Sequence, residues 1–395
     1  MPESPASGDK KDFVILVAVV LGIVVFMFVQ FRGTRQHAAV KGDTKPAVTA
    51  LSDWMGKLKP VKPDTAIDKV AYDRKMLLLA HIDSSQSPRA TAVAPMAPAK
   101  TPADLLPVPV TKKTPVKRKP QDLWPVKNAP YPNPGAILPF KRIIAYYGNF
   151  FAKGMGVLGE YPTDVMLRKL QGEMKSWADA DPTTPVLPAI DYIAVSAQGS
   201  PGADGKYRAR MPGSEIDKAV ALADQLHGIV ILEVQVGLGD IMTEVRLLEP
   251  FLSKPQVHLA IDPEFSMKTG AKPGTKVGTV DAKEMNVVAE YLAKLVKERG
   301  LPPKVLIIHR YTQGMVTNAT SIKPLPDVQI LMDMDGWGFK AKKISTYKSF
   351  VYSEPVQFTG FKLFYKNDIK TPGTVMMTPK EVLELTPQPS FIQFQ

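Results

Sequence analysis

The sequence predicts an α/β fold, a (β/α)8 barrel of the TIM type preceded by one N-terminal transmembrane helix and a disordered, proline-rich linker. Three observations predict it. Short β-branched runs alternate with amphipathic stretches over roughly 260 residues, as expected of this barrel. An uncharged apolar run near the N-terminus is long enough to span a bilayer, and proline concentrates between the two regions. The chain is therefore divided into a tail at 1–12, a membrane helix at 13–31, a linker at 32–134 and the barrel at 135–395.

The barrel is predicted from eight strands and the helices between them. The strands are predicted at 143–148, 189–197, 229–236, 257–262, 304–310, 328–333, 361–366 and 391–395. Helices are predicted at 163–180, 215–227, 240–252, 282–300, 343–353 and 378–385, with no clear helix between the fifth and sixth strands. Strand-to-helix connections are the long ones and are rich in Gly and Pro, which places a functional face at the carboxyl ends of the strands. An open doubly wound sheet is the rival fold, but no Gly-x-Gly-x-x-Gly motif follows the first strand, which disfavours a dinucleotide site.

The N-terminal apolar run is interpreted as an uncleaved signal anchor. Residues 13–29 carry no charge, and at 1.5 Å per residue they nearly span the hydrocarbon layer. Basic residues are more numerous after the run than before it, which by itself favours a cytoplasmic barrel. Long domains translocate with little regard to flanking charge, however, and a very short N-terminal tail usually stays inside. We expect a single-pass protein of the cell membrane with the barrel outside the cytoplasm.

The linker mixes proline, alanine and lysine without helical or strand periodicity, so it cannot bury enough apolar surface to fold by itself. Within it, 65–81 is apolar enough for a short helix that could dock a partner. The basic cluster at 112–119 fits an anionic envelope polymer or lipid headgroups, or a linker that its charge keeps soluble. Because no aromatic residues accompany the cluster, nucleic-acid binding is not expected. The chain has no cysteine, which excludes disulfides, thiolate nucleophiles and acylation of a lipobox cysteine.

Polar residues collect at the carboxyl ends of the predicted strands. Asp262 and Glu264 follow the fourth strand and Asp333 and Asp335 end the sixth, each pair on one face because side chains alternate. Asp191 lies early in its strand and is expected to be structural. The other candidates, all assigned to substrate binding, are Tyr146, Tyr147, Glu233, Gln235, His309, Arg310, Trp337, Tyr365, Lys366 and Gln393. The alternative is structural: carboxylates that cap helices, a hydrogen-bonded histidine and a paired arginine.

An Asp-x-Glu sequence at the end of the fourth strand is an arrangement found in barrel glycosidases. Glu264 is then the general acid, held by Asp262 through a hydrogen bond or charge repulsion. Asp335 or Asp333 is the second carboxylate, acting as nucleophile, base or stabiliser of the positively charged intermediate. The tyrosines and Trp337 would pack on sugar rings. This chemistry needs no cofactor and predicts a polysaccharide substrate.

Two other functions fit the same residues. A non-catalytic scaffold would bind glycan or protein without turnover. A divalent-metal-dependent hydrolase would use Mg, Mn or Zn, held by Asp262, Glu264, His309, Asp333 and Asp335. The separation of the carboxyl groups is expected to discriminate among these functions.

Several longer strings carry a family resemblance. They are YYGNFFAKGMGVLGEY (146–161), HLAIDPEFSM, GLPPKVLIIHRYTQGM, DMDGWG and GFKLFYKND. Over most of 140–395 the chain resembles a family of bacterial cell-envelope (β/α)8 proteins known as uncharacterised lipoproteins. The resemblance implies the barrel and an envelope location, and it implies no activity. Asp262-Pro263-Glu264 and the final FIQFQ are also similar in placement to muramidase barrels of the lysozyme type.

Overall fold

The computed structural model of the chain describes residues 66–83, 123–127 and 129–395. The predicted tail at 1–12, the membrane helix at 13–31 and the basic cluster at 112–119 lie outside these residues. Among the helices that are described, none is both long enough and apolar enough to cross a bilayer.

Eight parallel strands form a closed barrel. In order they are β1 (Arg142–Gly148), β2 (Val186–Ala197), β3 (Ile229–Val234), β4 (Val257–Ile261), β5 (Lys304–His309), β6 (Val328–Met334), β7 (Phe358–Leu363) and β8 (Phe391–Phe394). Each strand pairs with the next along the chain, and β1 pairs with both β2 and β8. An open sheet would leave two edge strands, so this closure confirms the predicted (β/α)8 barrel.

Helices occupy most of the connections, as predicted. They are α1 (Lys69–Leu79), α2 (Val157–Glu160), α3 (Thr163–Ala180), α4 (Gly213–Gln225), α5 (Ile241–Leu247), α6 (Glu249–Leu252), α7 (Ala282–Arg299), α8 (Lys340–Tyr347) and α9 (Pro379–Leu383). The two ends of α7 are fixed by local sequence. Asp281 and Glu284 form a capping box at its amino end, and Gly300 ends the helix in the left-handed conformation. The connection between β5 and β6 contains two short 3-10 turns, Gln313–Met315 and Ala319–Ser321, and a two-residue strand, Val316–Thr317, that pairs with Val280–Asp281.

One strand is displaced from its prediction. The seventh strand was expected at 361–366, but β7 is Phe358–Leu363. Gly360 in the middle of this run resembles a strand break, whereas in the fold it permits close packing. A Cβ atom at Gly360 would lie 2.4 Å from the Asp333 Oδ1 atom of the neighbouring strand. The correction moves the inward-facing lysine of this strand from Lys366 to Lys362.

The helix α1 packs as part of the folded unit. Its buried residues Tyr72, Met76 and Leu79 join a core cluster with residues from the amino-terminal parts of the strands, such as Ile143 and Phe358. The helix therefore covers the amino end of the barrel. The sequence predicts the helix correctly, but its interpretation as a partner-docking element of the linker is wrong for the described residues, because its apolar face is already buried against the barrel.

Candidate active site at the carboxyl ends of the strands

A layer of buried polar side chains crosses the barrel interior, one from each strand. Its members are Tyr147, Asp191, Glu233, Asp262, His309, Asp333, Lys362 and Gln393, all at most 5% exposed. Their contacts join strands that are not neighbours in the sheet. Gln393 Nε2 donates to Asp191 Oδ2 at 2.6 Å, from β8 to β2. Such contacts are made only through the interior, so the alternation of side chains directs all eight inward.

His309 is the centre of an interior ion network. Its Nε2 atom lies 2.9 Å from Glu233 Oε2, and its Nδ1 atom lies 3.0 Å from Asp333 Oδ2 and 3.7 Å from Asp335 Oδ2. Burial disfavours a charged imidazole, but the surrounding carboxylates outweigh burial and raise the pKa of His309 well above its ordinary value. The ring is therefore an imidazolium that donates from both nitrogens, and it supplies positive charge beneath the carboxyl groups at the barrel mouth.

Three carboxyl groups meet at the upper edge of this layer, and one of them, Asp262, belongs to the layer itself. Each of Asp262, Glu264 and Asp335 offers an oxygen that lies within 4.8 Å of the other two. The local fold orients Asp262 and Glu264. Asp262 Oδ1 accepts a hydrogen bond of 2.9 Å from the Glu264 backbone N–H and so caps a 3-10 turn, Pro263–Phe265. Glu264 is partly exposed, whereas the other two carboxyl groups are buried.

The two buried carboxyl groups hold protons more tightly than ordinary aspartates. Burial, together with the charges of Glu233 and Asp335, raises the pKa of Asp262 well above its usual range. Burial also raises the pKa of Asp335, to about 6, and the nearby positive charges of His309 and Lys362 oppose that rise. Asp262 therefore holds its proton more tightly than an ordinary aspartate, and Asp335 is ionised above about pH 6.

These carboxyl groups line a cavity of about 740 Å³ at the barrel mouth. This volume is in the range of small-molecule sites. Its aromatic walls come from Tyr147, Phe265, Tyr311, Trp337 and Phe364. Acidic groups among aromatic faces are a combination suited to a sugar, whose ring has apolar faces and a hydroxyl-bearing edge.

The structure divides the predicted site residues into two sets within the barrel. Glu264, Asp262, Asp335, Tyr147, Gln235 and Trp337 line the cavity. Gln235 connects them, since its Nε2 atom donates to the Tyr147 hydroxyl at 3.1 Å and lies 3.4 Å from Asp262 Oδ2. Glu233, His309, Asp333 and Gln393 lie in the buried layer beneath. Asp333, expected to be catalytic, is 0% exposed and accepts its hydrogen bond from His309, so it supports the site from below.

Tyr146 and Tyr365 lie outside the cavity. Their hydroxyls are 2.9 Å apart, and the Tyr365 hydroxyl donates to Glu173 of α3 at 2.6 Å. Tyr146 alternates with the inward-facing Tyr147 and therefore points to the helical layer. Tyr365 lies beyond the end of β7, whereas the sequence predicted it within the seventh strand. These two tyrosines join the barrel to α3 and do not contact a ligand in the cavity.

Arg310 and Lys366 also have structural partners. Arg310 is 0% exposed, forms an ion pair of 2.8 Å with Glu354 and donates to the Phe350 carbonyl. It follows the inward-facing His309, so alternation turns it outward. Lys366 forms an exposed ion pair of 2.7 Å with Glu160. Neither side chain belongs to the cavity.

Several residues of the site were not predicted from the sequence, and three of them, Asp191, Lys362 and Tyr311, follow from strand alternation. Asp191 belongs to the buried layer, where burial and the charge of Glu233 raise its pKa to about 8. Lys362 lies over the Tyr147 ring, with its Nζ atom 3.9 Å from the ring centroid. Tyr311 lines the cavity with Glu264, and burial together with the charge of Glu264 raises the pKa of its hydroxyl. Alternation within correctly placed strands would have identified all three, since Tyr311 lies two residues after the inward-facing His309.

Fold and site together define a (β/α)8 barrel with an acidic, aromatic-lined cavity at the carboxyl ends of its strands. Among solved structures, the chain is similar to a GH18 chitinase from Pseudoalteromonas aurantia, at 10% identity over 65% of this chain and 94% of that one, with a TM-score of 0.30. It is also similar to a GH5-4 broad-specificity endoglucanase from an uncultured bovine rumen ciliate, at 12% identity over 53% and 72%, with a TM-score of 0.26. At these values no argument about the site rests on either likeness. No protein-family model and no curated protein matches the sequence.

Proposed function

We propose that this barrel hydrolyses a polysaccharide, with Glu264 as the general acid and Asp335 as the second carboxylate. The observation that carries the proposal is the meeting of Asp262, Glu264 and Asp335 within 4.8 Å on the wall of the aromatic-lined cavity. Buried carboxyl groups that crowd one another are costly unless they have a use. Paired carboxyl groups with different protonation states are the arrangement that glycoside hydrolysis requires.

The surroundings give each carboxyl group a separate role. Asp335 is ionised above its pKa of about 6, because His309 at 3.7 Å stabilises its charge. Asp262, whose pKa burial raises well above the ordinary value, accepts a hydrogen bond from the Glu264 backbone N–H and so fixes the backbone of Glu264. Glu264 reaches into the cavity, where it can pass its proton to the oxygen of the glycosidic bond.

The spacing of the carboxyl groups favours retention of configuration. Retaining glycosidases hold their two carboxyl groups about 5 Å apart, whereas inverting enzymes need about 6.5–9.5 Å to admit a water molecule between them. One oxygen of each of the three carboxyl groups lies within 4.8 Å of those of the other two, and this short distance between oxygens supports the first class. Glu264 protonates the leaving oxygen, Asp335 attacks the anomeric carbon or stabilises its positive charge, and water then completes hydrolysis after giving its proton to Glu264.

The proposed substrate is a polysaccharide of the cell envelope or the extracellular space. The predicted membrane helix at 13–31 would hold the barrel outside the cytoplasm, and the proline-rich linker would set its reach. The basic cluster at 112–119 would contact an anionic envelope polymer or lipid headgroups. These elements are proposed from the sequence, and no site residue depends on them.

The test is a reducing-end assay on a panel of polysaccharides with the full-length protein, its Glu264→Gln and Asp335→Asn variants, and Glu298→Gln as control. Glu298 lies exposed on α7, where it pairs with Lys294. Loss of the general acid is expected to lower the rate by about 10²–10⁴-fold, with glycan binding retained. NMR of the first product should show the anomeric configuration of the substrate.

Equal rates for wild type and Glu264→Gln on every glycan that binds would refute the catalytic role of Glu264. Binding without turnover by the wild type would favour the scaffold. An inverted product would exclude the retaining mechanism and leave the carboxyl pair in place.

One observation favours a second candidate, a divalent-cation hydrolase. Three oxygen ligands from Asp262, Glu264 and Asp335 suit Mg²⁺ or Mn²⁺, and Asp335 Oδ1 is buried without a hydrogen-bond partner among the described residues. His309 is not available as a ligand, because both its nitrogens are bonded to carboxylates. Activity that chelation abolishes and Mg²⁺ restores would support this reading over the metal-free one.

A further inference from the structure

Trp337 is a rigidly held aromatic side chain at the cavity rim. It lines the cavity and is 47% exposed. The backbone on both sides of it is fixed: the Gly336 carbonyl accepts from Lys343 Nζ at 3.0 Å, and the Gly338 N–H donates to Asp368 Oδ1 at 2.9 Å. Lys343 and Asp368 are themselves an ion pair of 3.0 Å, both at most 2% exposed. A solvent-facing indole held by a buried ion pair is typical of a preorganised ligand platform.

Two ammonium groups flank this indole. The Nζ atoms of Lys342 and Lys370 lie 4.7 Å and 5.7 Å from the Trp337 ring centroid. In the part of the chain that the structure describes, neither has a carboxylate within ion-pair distance, whereas Lys340 pairs with Glu381 at 2.6 Å. Lys342 also lies in the first turn of α8, where the partial positive charge of the helix amino end adds to its own.

The cavity therefore separates its charges between floor and rim. The carboxyl groups of Asp262, Glu264 and Asp335 follow β4 and β6, and the uncompensated lysines belong to the rim around Trp337. An anionic substituent would be attracted to the rim lysines. The indole face offers an apolar surface on which a sugar ring can pack.

We infer that Trp337, Lys342 and Lys370 form a subsite for an acidic sugar, so that the substrate is a polysaccharide bearing carboxylate, sulfate or phosphate groups. The inference rests on the proposed function for the cavity in which the subsite lies. It goes beyond that function by assigning a negative charge to the substrate and by naming the residues that bind the charged groups.

The test measures oligosaccharide affinity by calorimetry with the full-length protein in uncharged detergent. The probes are a neutral glucan hexamer, a uronate hexamer and the glucan hexamer carrying sulfate. The variants are Trp337→Ala, the double substitution Lys342→Met with Lys370→Met, and a control that substitutes Lys175 and Lys294 by Met. The control removes the same charge from exposed positions on α3 and α7, outside the cavity.

Wild type is expected to bind an anionic hexamer about tenfold more tightly than the neutral one, and high salt should reduce this preference. The double substitution of rim lysines should abolish the preference, the control pair should keep it, and Trp337→Ala should weaken all three hexamers. The uronate and sulfated probes distinguish carboxylate from sulfate recognition.

Equal binding of neutral and anionic hexamers, or equal loss in the control pair, overturns the acidic subsite and leaves the proposed hydrolase intact. Lysine-dependent binding of an anionic hexamer without cleavage supports the subsite and refutes the hydrolase. If none of the three hexamers binds, the acidic subsite is also refuted.

Discussion

The buried pair of His309 and Glu233 allows a quantitative prediction that does not depend on the proposed function. We consider the variants His309→Gln and Glu233→Gln and the double variant that carries both. Both side chains are 0% exposed, and their nearest atoms lie 2.9 Å apart. At an effective dielectric constant of about 20, opposite charges at that distance attract by about 6 kcal/mol, part of which is offset by desolvation.

The single substitutions should differ in their cost. Loss of His309 leaves Glu233, Asp333 and Asp335 without their central cation, so we expect about 3–5 kcal/mol less stability. Loss of the Glu233 charge leaves the imidazolium paired with Asp333, and we expect about 2 kcal/mol. Because the residues are in contact, the double variant should lose less than the sum of the two, with a coupling of about 1–3 kcal/mol.

The measurement is equilibrium urea unfolding at pH 6, followed by tryptophan fluorescence. The pKa of folded His309 lies above that of the unfolded chain, so its contribution is present below about pH 6.5 and is lost as the pH rises through the folded value. His258 provides a matched control, since it is also buried, but burial lowers its pKa well below the ordinary value and it accepts from the Val305 N–H.

A cycle of His258→Gln with Glu233→Gln should be additive within about 0.5 kcal/mol. If the His309 cycle is additive to the same degree, or if His309→Gln costs less than about 1 kcal/mol, the charged interior network described here is wrong.

Three further predictions concern other parts of the chain. Leu79 lies on the barrel-facing side of α1, and Leu79→Ala should lower the free energy of unfolding in urea by about 2–5 kcal/mol. Leu78 is 49% exposed, and Leu78→Ala should change that free energy by less than about 0.5 kcal/mol. Equal effects would contradict the docking of α1. In the folded protein the pKa of Asp191 is about 8, so the protein loses stability as the pH rises from the ordinary pKa of an aspartate toward 8. Asp191→Asn should therefore raise the melting temperature at pH 9 and leave it nearly unchanged at pH 4. A lower melting temperature of the variant at pH 9 would contradict this. Because Asp335 must be ionised, kcat/KM on a cleaved polysaccharide should fall about tenfold per pH unit below pH 6, and a flat profile between pH 4 and 6 would remove Asp335 from the mechanism.

The class of fold could be predicted from local patterns. Eight hydrophobic runs with intervening amphipathic stretches identify a parallel barrel because each strand must be covered on its outer face by a helix. The position of the site at the carboxyl ends followed from the same pattern, and so did the approach of Asp262 and Glu264 to Asp335, since all three come from strand ends on one face of the barrel.

The individual roles needed the tertiary structure. Tyr146 and Tyr147 are adjacent identical residues, and the sequence does not distinguish them. Tyr146 faces α3 and bonds to Tyr365, whereas Tyr147 lines the cavity, because the register of β1 turns only Tyr147 inward. Lys362 rather than Lys366 faces the barrel interior because β7 begins before Gly360, whose close contact with Asp333 exists only in the folded barrel.

Local sequence thus determined the alternation of strands and helices and the strand ends at which charge gathers, because both depend on residues close together in the chain. Tertiary structure decided which charges meet. The pairing of His309 with Glu233 crosses the barrel between strands that are not neighbours, and the docking of α1 depends on apolar residues contributed by several strands. No sequence period records either contact, since each depends on the closure of the barrel as a whole.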